Sequence, residues 1–158
     1  MKFKFSLEKV LKQRNIKADL AQRDFGEAQA LYQQETTVLQ AMIDTKNTSL
    51  SQRTELVHST QNWTSSVEQI NQFLIGQDLR IKKQNERLKE IENIVESKRE
   101  ILRQCMIEVK IIEKLREKKL QAFVKEQNRQ EQNELDEMVS LRFATQESVL
   151  KGSHEDGI

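Results

Sequence analysis

Apolar side chains along this chain recur in sevens. Leu11, Ala18, Phe25, Tyr32 and Leu39 stand at every seventh position, with Leu7, Ala21, Ala28 and Met42 at the companion position and Arg14 and Glu35 as polar exceptions. Residues alternating three and four apart share one face of a supercoiled helix, so the series predicts an amphipathic helix over about residues 4–57. A second series is stricter. Val67, Leu74, Ile81, Leu88, Val95, Leu102 and Val109 are seven consecutive aliphatic residues at spacing seven, with companions Ile70, Ile91, Cys105 and Ile112 interrupted by Gln77, Gln84 and Lys98. Polar interruptions of this kind set register or sit near a surface. The second helix is predicted over about 65–148.

Between the series runs a polar stretch, His58 to Ser66, in which Ser65 and Glu68 have capping-box spacing. A turn at about 58–64 is expected there, with Trp63 pinning the end of the hairpin. The rival turn, Gly76-Gln77-Asp78, is embedded in apolar residues that continue the helical pattern, and one mid-helix glycine costs only about 1 kcal/mol. A third arrangement, one uninterrupted helix pairing with another chain, ranks last. The fold class expected is all-α: a long antiparallel two-helix coiled-coil hairpin with a longer second helix. It forms a single unit over residues 1–150 with a flexible tail at 151–158. Beyond Ile112 the sevens fail, and Gln127 to Glu137 is almost wholly polar, which suggests an overhang that meets a partner.

Composition narrows the function classes. Hydrophobic residues make up 36% and charged residues 32%, poorer in apolar groups and richer in charge than a typical globular chain. A narrow apolar stripe is affordable and a wide core is not. With a net charge of +1, no polyanion is implied as a global partner, so nucleic acid is not expected. Met1 to Arg14 lacks the apolar core of a secretory signal, and no segment approaches a transmembrane span. A lone Cys105 fits a reducing compartment and reads as a small buried hydrophobe. No phosphate loop, metal-ligand spacing, Cys-x-x-Cys or nucleophile elbow is present, so catalytic residues, cofactor and metal are all entered as none. His58 and His154 read as solvated side chains. From Arg80 to Lys119 there are 13 basic and 8 acidic residues, a local +5 read as a solvated face with interleaved pairs. Phe73, with Ile75 and Leu79, falls beside the seam and leaves apolar surface that two helices need not bury.

The two ends of the chain resemble the FliJ family of flagellar type III export proteins. The start, Phe3-Lys4-Phe5-Ser6-Leu7-Glu8-Lys9-Val10-Leu11-Lys12-Gln13-Arg14, is similar to the family's opening. The run Glu113-Lys114-Leu115-Arg116-Glu117-Lys118-Lys119, followed by Glu126, Glu131, Gln132, Glu134, Leu135, Asp136 and Glu137, is similar to its C-terminal helix. The resemblance covers about residues 3–143. It implies a non-enzymatic stalk, monomeric when free, that binds the export ATPase FliI, promotes its ring assembly and couples it to the export-gate protein FlhA, with export chaperones as further partners. It implies a cytoplasmic protein peripherally associated with the inner-membrane export apparatus. Leu7, Leu11, Arg14, Lys114, Leu115, Lys118 and Lys119 would enter the ATPase ring, and Met42, Thr45, Ser49, Phe73, Gln77 and Gln84 would meet the gate. Several of the latter are polar where the family carries large apolar side chains. The alternative reading is a generic coiled-coil scaffold or tether, including a parallel dimer.

Overall fold

The computed structural model describes residues 2–59 and 64–152. Two helices account for nearly all of them: α1, Glu8–His58, and the longer α2, Thr64–Gly152. No strand occurs among the described residues, and α2 packs against α1 as a helical hairpin. Thr60 to Trp63, at the centre of the expected turn, and residues 153–158, which include His154, lie outside the described residues. Gly76 lies within unbroken helix, with open space where a Cβ would stand, so the rival turn is not used. Because α2 begins at Thr64, Ser65 sits in the first turn and does not precede it as a cap.

Helix α1 starts at Glu8 and not near residue 4. The physical reason is aromatic. The Phe3 ring meets Phe123 with centroids 5.6 Å apart, and Phe5 is buried. Burying a phenylalanine is worth about 1.5–3 kcal/mol, against a few tenths per residue for continuing a helix. The Phe5 carbonyl accepts from the Glu8 N–H at 3.3 Å and the Leu7 carbonyl from the Leu11 N–H at 2.9 Å. The Glu8 carboxylate then lies in the first turn, where the helix dipole favours negative charge.

Contacts divide the chain into two compact units. In the long unit, Gln13–Val109, the two series of sevens form one seam. Val67, Leu74, Leu88, Ile91, Val95, Leu102, Cys105 and Val109 are buried, and Ile70, Ile81, Ala18, Phe25, Ala28, Tyr32, Leu39 and Met42 are half-buried opposite or beside them. The contacts run antiparallel. Going up α1, Arg14 pairs with Glu108, Glu35 with Arg87, Lys46 with Asp78, and Arg53 with Asn71. Ala21, Leu102 and Cys105 form a buried cluster with Ala18 and Phe25 packed on it, and the Arg99 guanidinium stands 5.8 Å from the Phe25 ring centroid. On the outer face, Arg103 hydrogen-bonds Glu100 and holds its carboxyl below the usual carboxylate range.

The terminal unit, Met1–Lys12 with Lys110–Ile158, is built differently. Phe5 and Leu11 are its buried side chains. Lys119 Nζ lies 5.8 Å from the Phe5 ring centroid, and Arg116 reaches Glu8 at 3.4 Å. From Val124 to Glu147 every side chain except the half-buried Gln127 is exposed. Arg129, hydrogen-bonded to Glu126, lowers that carboxyl in the same way as Arg103 does in the long unit.

Candidate functional site

Two groups of surface residues are candidates for partner contact, one in each unit. In the terminal unit, Lys110 to Lys119 carries five basic and two acidic residues. Lys114, Leu115, Lys118 and Lys119 are exposed, and Lys114 and Lys118 make no ion pair among the described residues. Lys119 is held over the Phe5 ring, so its charge is fixed in place while its neighbours are free to reorient. Leu7 is half-buried and Leu11 is 6% exposed. Leu11 therefore has almost no surface to offer a partner, and the contacts to the basic run come from its neighbours, Phe5 and Ser6 with Lys119 and Glu8 with Arg116. Arg14 belongs to the long unit, where its guanidinium is 2.9 Å from the Glu108 carboxylate.

The second group shows a sharper division. Thr45 and Phe73 are exposed and Met42 is half-buried. Ser49, Gln77 and Gln84 are buried. They occupy seam positions, and a polar residue on a seam points at the opposite helix whatever its chemistry. Gln77 Nε2 donates to the Met42 carbonyl at 2.9 Å. Gln84 Nε2 donates to the Glu35 carbonyl at 3.0 Å and to its carboxylate at 2.7 Å. These amides hold α1 to α2 and present no free surface. The outward apolar surface comes instead from Phe73 with Ile75 and Leu79, the latter two well exposed at 59% and 58%.

Two features lay outside the residues singled out from sequence. Glu35 stood there only as an exception in the first series, yet its carboxylate is clamped by Arg87 at 2.8 Å and by Gln84. Its signal was its seam position, shared with Gln77 and Gln84. Phe123, the partner of Phe3, lies in the stretch beyond Ile112 where the sevens fail. His58 is exposed, and no group of three or more His, Cys, Asp and Glu suited to a metal occurs among the described residues. No described helix is long and apolar enough to cross a membrane. The arrangement is one of binding surfaces on helices.

The family model described as flagellar FliJ protein matches residues 3–148. No curated protein matches. Among solved structures, that of a putative YscO homolog from Chlamydia trachomatis is similar, with a TM-score of 0.66 at 18% identity, covering 93% of this chain and 99% of that one. At this identity the likeness speaks for the fold, a paired set of long helices.

Proposed function

We propose that this chain, which belongs to the flagellar FliJ family of non-enzymatic type III export components, binds the export ATPase FliI, promotes its ring assembly and couples it to the export-gate protein FlhA. The family match over residues 3–148 carries the reading. The surfaces support a division of labour. The exposed Lys114, Leu115 and Lys118, with Lys119 steadied on Phe5, form the ATPase-facing patch, with Leu7 and Leu11 in the same unit. Arg14, in the long unit, contributes to ATPase binding from its ion pair with Glu108. Thr45, Phe73 and the accessible part of Met42 meet the gate, while Ser49, Gln77 and Gln84 act behind them by fixing how the helices pair. In this role the chain works in the cytoplasm at the membrane-bound export apparatus and also receives export chaperones.

The test mixes the purified chain with the export ATPase and follows ATP hydrolysis and ring formation. The native chain stimulates both. Reversing two exposed charges, Lys114→Glu with Lys118→Glu, is expected to cut the stimulation at least tenfold and leave helicity unchanged, because neither lysine holds the fold. Stimulation that survives the double reversal would discard the patch. A native chain that neither binds nor stimulates would turn the reading to a coiled-coil tether.

A further inference from the structure

The polar layer of the long unit contains a repeat. Gln77 and Arg80 are followed seven residues later by Gln84 and Arg87. The two glutamines make the same bond: Gln77 donates to the carbonyl of Met42, and Gln84 donates to the carbonyl of Glu35, seven residues back along α1. A backbone carbonyl is present at every residue, so these bonds do not distinguish one register from the next. On α2 the aliphatic seam does not distinguish them well either, since Val67, Leu74, Ile81, Leu88, Val95, Leu102 and Val109 repeat at the same spacing; the facing positions of α1 vary more, from Arg14 to Ala21, Ala28 and Glu35. One side chain marks the observed register within this layer. Glu35, only 13% exposed at its side chain, is gripped by Gln84 and Arg87. The second grip stands ready, with Arg80 bonded to the Gln77 side-chain oxygen at 3.1 Å and to no carboxylate.

We propose that the long unit has a second register, displaced by one heptad, in which α1 slides about 10 Å along α2 and Glu35 passes from Gln84 and Arg87 to Gln77 and Arg80. In the displaced register Gln77 donates to the Glu35 carbonyl and Gln84 to that of Ala28, so no amide is left unpaired in the seam. A slide of three or four residues would keep both seams inward but set the Glu35 carboxylate beside the aliphatic Ile81, between the two grips. The observed register is favoured by Lys46 with Asp78, Arg14 with Glu108 and Arg53 with Asn71, by the buried cluster of Ala21, Leu102 and Cys105 with Phe25 under Arg99, and by Phe3 with Phe123 and Glu8 with Arg116, all of which the slide breaks. The polar pairs are partly exposed and weak; the apolar contacts are the larger part, so the displaced register is the minor one. The displacement is absorbed at the last turns of α1, where Thr54, Glu55, Val57 and His58 are exposed and only Arg53 and Leu56 are half-buried. Glu35 is thus a pawl with two notches, a discrete two-state element of the kind that transmits a change along a packed pair of helices. The inference concerns the hairpin itself and holds whichever partner the chain meets.

Disulfide trapping distinguishes the registers. In a Cys105→Ser background, Lys46→Cys with Asp78→Cys reports the observed register, and Lys46→Cys with Asn71→Cys reports the displaced one, seven residues along. With the polar layer intact, the first pair is expected to cross-link quickly and the second slowly but completely on prolonged oxidation. Gln84→Ala with Arg87→Ala should raise the displaced-to-observed ratio at least tenfold, and Gln77→Ala with Arg80→Ala should abolish the displaced product. Absence of displaced cross-link on prolonged oxidation with the layer intact overturns the proposal. So does a ratio that neither substituted pair changes while circular dichroism stays helical. The intact-layer arm decides alone if the Gln84 and Arg87 variant loses its helices.

Discussion

Leu102 and Leu135 are the same residue on the same helix, yet Leu102 is 9% exposed and Leu135 is 55% exposed. Leu102 has Ala21 across from it in a buried cluster, whereas Leu135 lies in the stretch where nearly every side chain of the terminal unit faces out. Helix formation is common to both. What differs is the second helix, because an isolated helix gains little from an apolar stripe until something covers it. The long unit is therefore where stability is concentrated, and the stretch from Val124 to Glu147 contributes surface.

The largest break in that contrast is Leu102→Asp. It removes an aliphatic side chain and leaves a carboxylate packed against Ala21 and Cys105. Together these terms amount to about 4 kcal/mol or more, a large share of the 5–15 kcal/mol that holds a typical domain folded. The expected outcome is loss of the cooperative melting transition followed by circular dichroism. A variant that melts like the native chain would refute the seam.

Phe5→Ala ranks next. Phe5 is buried at 8% exposure and carries Lys119 over its ring, so truncation should cost about 3 kcal/mol, the low end for a phenylalanine near the end of a chain. The loss should be local to the terminal unit: amide exchange speeds up at residues near Phe5 and Phe123, while amides around Leu102 keep their protection. Equal loss of protection in both places would show that the two units unfold together.

How much of this was legible follows from the same contrast. The run Val67 to Val109 announces its helix and its buried face because spacing alone decides which side chains share a side. The pairing of Glu35 with Gln84 was not legible. The two are 49 residues apart, and a repeat of seven on both helices fits several alignments equally well until one polar contact selects among them. Resemblance assigns Ser49, Gln77 and Gln84 to a partner surface, and in the fold their seam positions turn them inward. The start of α1 failed for another reason. The pattern of residues 4–7 suits a helix, and only the tertiary contact of Phe3 with Phe123 and the burial of Phe5 make the non-helical start preferable. For the candidate ATPase patch, sequence supplied the basic residues, and the fold sorted exposed Lys114 and Lys118 from buried Leu11.

The smallest effect sharpens the comparison most. Leu135→Ser with Met138→Ser removes two apolar side chains, each more than half exposed, from a helix that nothing among the described residues covers at those positions. Surface changes of this kind usually fall within about 0.5 kcal/mol each, and serine lowers helix propensity only slightly relative to leucine and methionine. The melting midpoint should scarcely move, although the variant removes as many apolar side chains as a double truncation in the seam. A fall comparable to that of Phe5→Ala would mean that the stretch is covered in solution by a second copy of the chain. In that case the midpoint of the native chain would rise with protein concentration. A midpoint independent of concentration, together with an unmoved double variant, shows Leu135 and Met138 to be uncovered in the free chain.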